Sequence, residues 1–245
     1  MLWTVLACTK AEPPNVVVVF VDTLRAEALG AYGNPLPASP AMDKLAEQGL
    51  VFERMYSHSG WTLPSAASLI SARYPVEHRV VRSPTEYDKF GSLQPSFETL
   101  AELYQQANYR TAAFVNNTFM APDFGMNQGF DVYDYVGADS MVYRDAEKTT
   151  DQALEWWTTT KGPKFLLVHY MDTHLDFDPP KSTRGTFLPP QETTIQVPFT
   201  DRASFEITRD YKATPELLKQ KRDEVWKLYL EEVLYLDQQL ARLFD

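Results

Sequence analysis

Two polar residues of this chain follow apolar runs that are typical of buried strands. Asp22 comes directly after "NVVVVFV", and His174 lies three residues beyond "KFLLVHYM". A carboxylate at the end of a strand is a natural ligand for a hard cation such as calcium or magnesium, and it can equally cap the turn that follows. Because imidazole titrates near neutral pH, His174 could bind an oxyanion, protonate a leaving group, or only bond to its own loop.

A third candidate is Thr62, in the segment "SGWTLPSAASLISARYP", where Pro64 is well placed as the first residue of a helix. An anion bound beside Thr62 would face the free N–H groups and the positive end of that helix, a setting that favours phosphate or sulfate. A nearby metal ion would lower the pKa of the hydroxyl and make it a nucleophile. A threonine before a helical proline is more often a helix cap, so both interpretations stay open at this point.

Strand and helix patterns alternate along the chain and position these residues. Predicted strands cover 15–22, 110–115 and 164–171, and predicted helices begin near Ser39, Pro64, Ser96, Asp145 and Thr214. The alternation predicts an α/β fold with a mostly parallel sheet covered by helices on both faces. The carboxyl ends of parallel strands open on one edge, so Asp22, Asn116 and His174 are expected to converge there. His169, inside a strand, is predicted to be a core residue.

The last third of the chain is a proline-rich stretch, 177–214, followed by a long helix. The stretch has no clear period and is predicted to be a long loop over the site, since structureless loops of this length are usually functional or mobile. The helix carries apolar residues at spacings of three and four. A doubly wound domain would continue with another strand, so residues 15–245 are predicted to be the N-terminal portion of a larger domain whose C-terminal part is missing here.

Composition excludes some classes of function. The chain has 245 residues and a formal net charge of -10, without clusters of Lys or Arg, which argues against nucleic-acid binding. The single cysteine, Cys8, excludes an internal disulfide and a cysteine-ligated zinc site. "VLAC" resembles the end of a bacterial lipoprotein signal, so residues 1–14 would be a signal remnant and tether, with a lipid anchor on Cys8 and a location in the periplasm or cell envelope. An incidental apolar N-terminus is the alternative.

Blocks along the chain resemble, in order, the N-terminal part of the sulfatase family within the alkaline-phosphatase superfamily. The blocks are "PNVVVVFVDTLRAEALGAYG", "SPAMDKLAEQGLVFERMYS", "WTLPSAASLISARYPVEH", "ETLAELYQQANYRTAAFVNN", "GFDVYDY", "HYMDTHLDFDPP" and "YLEEVLYLDQQLARLFD". The resemblance implies an α/β/α sandwich. It also implies hydrolysis or transfer of sulfate and phosphate esters through a metal-bound nucleophile.

The resemblance also assigns roles to individual residues. Asp22 corresponds to the first metal-binding aspartate and Thr62 to the nucleophile, and both would contact a divalent metal ion, calcium or magnesium first and zinc or manganese next. His174 and Asn116 would bind the transferred group, with His174 also catalytic. Sulfatases proper carry Cys or Ser at the nucleophile and Arg four residues later, where this chain has Thr62 and Ala66. No formylglycine is therefore expected.

The predicted function is a metal-dependent hydrolase of sulfate or phosphate esters that uses a hydroxyl nucleophile. Its substrate would be a small-molecule or glycan ester. One alternative is a phosphotransferase or phosphodiesterase of the same superfamily, in which threonine attacks phosphorus. Another is a catalytically inactive binding module, which Ala66, Asn116 and the absence of the family's second metal-binding Asp-His pair favour.

Overall fold

The computed structural model of the protein describes residues 13–137, 144–209 and 214–245. Cys8, and with it the predicted lipid anchor, lies outside the described residues. Within these ranges, no helix combines the length and the apolar character that a membrane crossing requires.

Four parallel strands form one sheet in the order β1-β4-β2-β3. They are β1 (Val16–Val21), β2 (Arg110–Val115), β3 (Val132–Tyr135) and β4 (Lys164–Tyr170). The three predicted strands are present, and β3 is an additional edge strand beside β2. Val21 lies opposite Tyr170, and the N–H of Asp22 continues the ladder to the Tyr170 carbonyl at 2.9 Å. The ends of β1 and β4 are therefore level.

Helices cover both faces of this sheet. They are α1 (Pro40–Gln48), α2 (Thr62–Ser71), α3 (Pro75–His78), α4 (Leu100–Gln106), α5 (Ala146–Thr159), α6 (Asp201–Arg209) and α7 (Pro215–Phe244), with short 3-10 turns at Ala26–Ala28, Gly30–Tyr32, Thr118–Met120, Pro122–Phe124 and Pro190–Glu192. On one face Ala113, Val115 and Leu167 pack against α2. On the other, residues of alternate parity such as Phe114 and Leu166 pack against α5 and α7. This is the predicted α/β/α sandwich, because successive strand side chains point to opposite faces.

Two helix starts differ from their sequence-based predictions. Helix α2 begins at Thr62, two residues before Pro64. The helix expected from Ser96 begins at Leu100, with Thr99 as its cap. The Thr99 hydroxyl accepts the N–H of Glu102 at 3.2 Å, and the Glu102 carboxylate accepts the N–H of Thr99 at 2.7 Å. This reciprocal capping box satisfies two N–H groups of the first turn, whereas the hydroxyl of Ser96 has no such partner among the described residues.

The stretch 177–214 is not a structureless loop, which corrects the prediction. It contains α6, whose Ala203 and Ile207 pack against a core that α7 also lines. Carboxylates of α7 hold the rest of it by accepting backbone N–H groups. Glu231 accepts those of Phe187 and Leu188 at 2.8 Å each, Glu224 accepts those of Thr194 and Ile195 at 2.7 and 3.2 Å, and Glu232 accepts that of Asp178 at 2.7 Å.

Candidate active site

Strand parity brings a group of polar side chains to the α2 face of the sheet. Val18 and Phe20 of β1 pack against the core beneath α2, as do Val115 of β2 and Leu167 of β4. Side chains two residues further along each strand share that face. The residues concerned are Asp22, Asn117, His169 and Met171. The carboxyl ends of three adjacent strands therefore meet the N-terminus of α2.

The closest contact in this group joins Thr62 and Asp22. The Thr62 hydroxyl donates a hydrogen bond to Asp22 Oδ2 at 2.9 Å, and both residues are at most 9% exposed. Thr62 is the first residue of α2, and Trp61 holds the cap position without a side-chain bond. The hydroxyl is thus directed to the carboxylate and does not cap the helix.

Asn117 links the hydroxyl to the carboxylate. Its Nδ2 lies 2.9 Å from Asp22 Oδ2, 3.3 Å from Thr62 Oγ1 and 3.4 Å from the sulfur of Met171. Its own carbonyl oxygen accepts the N–H of Phe119 at 2.8 Å, which fixes the orientation of the amide. The amide group therefore presents its N–H groups to the site.

His169 approaches the same carboxylate from within β4. The backbone N–H of Asn116 donates to His169 Nδ1 at 3.4 Å, so this nitrogen accepts and the ring proton resides on Nε2. Nε2 lies 3.5 Å from Asp22 Oδ2, too far for a good hydrogen bond but close enough for electrostatic attraction. Nε2 has no other partner within the described part of the chain. His169 is thus a buried neighbour of Asp22, where the sequence predicted only a core residue.

The pKa of the Asp22 carboxyl is lowered despite its burial. Desolvation alone would raise it, but the approach of His169, the hydrogen bond from Thr62 and the charge of His174 together outweigh that effect. Asp22 therefore stays ionised at neutral pH. An ionised carboxylate can accept the hydroxyl bond and attract a cation.

Asn116 does not face the site, which corrects its predicted role in binding the transferred group. Its side chain is 0% exposed, and its amide donates to Thr149 on α5 at 2.9 Å and to the carbonyl of His169 at 2.6 Å. Its oxygen accepts from Arg144 at 3.0 Å. Parity explains the difference, because Asn116 shares the α5 face with Phe114. Asn117, the next residue, takes the position that the sequence had assigned to Asn116.

His174 lies in the turn that follows β4 and is half-buried. Its backbone N–H donates to the carbonyl of Met171 at 2.8 Å. Its Nδ1 lies 2.6 Å from the carbonyl of Leu175, and a carbonyl can only accept, so Nδ1 carries a proton. Nε2 is left for a partner outside its own loop. The preceding residue, Thr173, donates its hydroxyl to the backbone carbonyl of Asp22 at 2.6 Å, so this turn lies beside the end of β1.

Comparison with known proteins identifies the family. The profile of the family described as Sulfatase matches residues 14–245, nearly the whole chain. The chain belongs to the sulfatase family. Among curated sulfatases, arylsulfatase A of Bos taurus is 34% identical over 115 residues, which cover 45% of this chain and 23% of the bovine protein. N-acetylgalactosamine-6-sulfatase of Rattus norvegicus is 30% identical over 111 residues, 42% of this chain and 21% of that protein.

Solved structures support the fold. The phosphonate monoester hydrolase of Agrobacterium radiobacter superposes with a TM-score of 0.70 at 17% identity, covering 95% of this chain and 58% of that one. This likeness agrees with the α/β/α sandwich described above. The present sulfatase chain thus spans little more than half of that structure.

Sulfatases generally bind a divalent metal ion. Calcium takes six to eight oxygen ligands and magnesium six, mostly carboxylates, carbonyls and waters. At this site Asp22 is the carboxylate and Thr62 the hydroxyl, and the described ranges hold no group of three or more His, Cys, Asp or Glu that could bind a metal ion. These residues would supply two ligands and do not form a complete metal site by themselves.

Proposed function

We propose that this sulfatase-family protein hydrolyses sulfate esters, with Thr62 as a direct hydroxyl nucleophile. The observation that carries the proposal is the 2.9 Å hydrogen bond from Thr62 to the ionised Asp22. The bond lies at the N-terminus of a ten-residue helix, where the macrodipole favours an anionic group. A nucleophile oriented by a base beside an anion-binding position is the arrangement that ester cleavage requires.

The proposed step conserves atoms and charge. Oγ1 of Thr62 attacks the sulfur of the ester, the new O–S bond forms, and the bond from sulfur to the leaving oxygen breaks. The hydroxyl proton passes to Asp22 Oδ2, and the leaving oxygen takes a proton from Nε2 of His174. Water then attacks the same sulfur and gives one proton to Nε2 of His174, the bond from sulfur to Oγ1 breaks, and Oγ1 takes back its proton from Asp22, which releases sulfate and restores all three side chains.

Two neighbours support this step without reacting. The N–H groups of Asn117 face both Asp22 and Thr62, where they would hold an oxygen of the sulfate as negative charge moves toward it. The Nε2–H group of His169, 3.5 Å from Asp22 Oδ2, helps to keep the pKa of Asp22 low until the proton moves. Asn116 acts one step further away, because its backbone N–H sets the tautomer of His169.

Metal dependence and substrate belong to the same proposal. Asp22 and Thr62 would contribute the ligands of this chain to a divalent ion, calcium or magnesium by their oxygen chemistry. Such an ion would add Lewis-acid stabilisation of the sulfate. The named relatives are an arylsulfatase and an amino-sugar sulfatase, so the substrate proposed here is a sulfate ester on a small ring or a glycan.

The test is hydrolysis of an aryl sulfate and the matching aryl phosphate by the wild-type protein, Thr62→Ala and Thr62→Ser. We expect Thr62→Ala to lower kcat on the order of 10³-fold or more, since it removes the attacking atom. Thr62→Ser keeps the hydroxyl and should retain much of the activity. Hydrolysis by Thr62→Ala at the wild-type rate would exclude this nucleophile.

The same assay tests two further points, the choice between sulfate and phosphate esters and the dependence on a metal ion. A preference for the phosphate would place the protein with the threonine-dependent phosphotransferases of the superfamily. Loss of activity with a chelator and recovery with calcium or magnesium is expected, whereas activity that withstands chelation would remove the metal from the proposal and leave Thr62 in place.

A second candidate is a binding module without turnover. The observation that favours it is the small number of metal ligands at the site, since the described ranges hold no group of three or more His, Cys, Asp or Glu that could bind a metal ion. This candidate requires that neither ester is cleaved by the wild-type protein while sulfate monoesters still bind, which calorimetry would detect.

A further inference from the structure

A cavity of about 940 Å³ opens beside the strand-end site. Thr23 and Arg25, just after Asp22, line it together with His174. Helix α7 adds further lining residues, among them Lys221 and Trp226. A molecule held in this cavity would therefore lie against the same histidine that is proposed to protonate the leaving group.

Aromatic residues form part of the lining of this cavity. Trp226 and Tyr229 stack with centroids 5.4 Å apart, and Phe177 lies 5.4 Å from Tyr229. The Tyr229 hydroxyl donates to the carbonyl of Thr23 at 3.1 Å and accepts the N–H of Arg25 at 2.9 Å. These bonds fix α7 to the loop after β1. The aromatic part of the lining is thus a fixed apolar surface that suits a flat ring.

Three cationic side chains, Arg25, Lys221 and Arg222, also line the cavity. Lys221 is half-buried and Arg222 is exposed, and neither forms an ion pair with a carboxylate in the ranges described. The third cation, Arg25, pairs with Glu27 at 3.4 Å and lies 5.4 Å above the Trp226 ring.

The acids that line the cavity are largely engaged. Glu27 pairs with Arg25, and Asp223 pairs with Lys219 at 2.9 Å. Asp201 lies in the first turn of α6, where the helix N-terminus already favours its charge. In a protein with a net charge of -10, two cations that have no carboxylate partner within the described part of the chain mark a local preference for an anion.

We infer that this cavity binds the leaving-group part of the substrate, a flat ring that carries a second anionic group near Lys221 and Arg222. The inference rests on the proposed function for its orientation, with the ester at Thr62, the leaving oxygen at His174 and the ring on Trp226 and Tyr229. The second anionic group then distinguishes this substrate from a simple monosulfate.

Binding of naphthalene sulfonates tests the inference without turnover. Neither 2-naphthalenesulfonate nor 2,6-naphthalenedisulfonate is an ester, and calorimetry gives the Kd of each. We expect the disulfonate to bind the wild-type protein about fivefold more tightly than the monosulfonate, because two largely solvated charge contacts contribute modestly. The ratio should fall to about one in the double variant Lys221→Gln/Arg222→Gln.

The matched control is Lys227→Gln, which makes the same change on α7 outside the cavity and should keep the wild-type ratio. An unchanged ratio in the double variant, or equal binding of both sulfonates by the wild type, would overturn the inference. Thr62→Ala separates the two proposals. It should bind the disulfonate normally but cleave no ester, whereas a wild-type protein that binds the disulfonate and cleaves nothing would refute only the proposed function.

Discussion

Asp22 and Asp172 follow neighbouring strands at the same edge of the sheet, yet they lie on opposite faces. Asp22 meets α2 and accepts hydrogen bonds from the side chains of Thr62 and Asn117 at 2.9 Å each. Asp172 meets α5 and accepts the backbone N–H of Ala146 at 2.8 Å. The pKa of Asp22 is lowered, whereas burial raises the pKa of Asp172 to about 6.

The difference shows that the role of a buried acid is inferred from the groups that donate hydrogen bonds to it. Asp172 and the acids of α7 accept backbone N–H groups and hold segments of chain in place. Asp237 does so for Ala41 and Met42 at the start of α1, at 2.8 and 2.9 Å. Asp22 instead accepts from a hydroxyl that could itself react. A strand-end aspartate therefore indicates chemistry only when a reactive side chain shares its face.

The largest expected effect is the loss of activity on substitution of Asp22, which the same substitution at Asp172 should not cause. Asp22→Asn preserves the shape but removes the proton acceptor of Thr62, so kcat for ester hydrolysis should fall on the order of 10³-fold. Asp172→Asn is the matched control, since its amide oxygen can still accept from Ala146, and it should retain the wild-type kcat. Equal losses in the two variants, measured by steady-state kinetics, would show that the faces do not differ as proposed.

The next effect concerns the acids that hold backbone. Glu231→Ala leaves the buried N–H groups of Phe187 and Leu188 without their acceptor, which should lower the free energy of unfolding by about 2–4 kcal/mol. Glu231→Gln keeps an acceptor oxygen and should recover most of that loss. Denaturant unfolding measures both variants, and a Glu231→Ala protein as stable as the wild type would contradict the role.

Glu232 also accepts a backbone N–H group, and its pKa makes the stability of the protein depend on pH. Burial raises its pKa from 4.5 to about 8, and the charges of Asp172 and Asp178 act in the same direction against the opposing charge of Arg184. The folded state holds a proton that the unfolded state has lost, so stability falls as the pH rises from 4.5 to 8 and is level above that range.

Between pH 6 and 8 the wild type should lose roughly 2 kcal/mol of stability through Glu232. Glu232→Gln carries no titrating group and should show a flatter profile in thermal unfolding across this window. Parallel profiles for the two proteins would mean that Glu232 is already ionised in the folded state.

The smallest expected effect is at His169. His169→Leu removes the Nε2–H that faces Asp22, and we expect kcat to fall about tenfold with KM unchanged, the equivalent of ~1.4 kcal/mol. His169→Gln offers an N–H in a similar position and should restore part of the rate. A purely structural histidine would lower the yield of folded protein without separating kcat from KM in this way.

The sequence was sufficient for three of the four strands and for most helices because their signals are local. Apolar runs marked β1 and β4, and a proline after a polar residue marked α1 and α7. It was insufficient for α6, whose short apolar stripe is surrounded by prolines and polar residues. That helix is stabilised by packing against a core shared with α7, a contact that no local pattern records.

For the site, the sequence by itself determined which residue types stand at the strand ends and at the start of α2, since each follows a recognisable apolar run or precedes a helical proline. Tertiary structure alone decided which of them meet. The choice of Asn117 over Asn116, and of His169 as a neighbour of Asp22, depends on which strand parity faces α2. Alternation along a strand is local, but the helix that covers each face is chosen by packing between residues far apart in the chain.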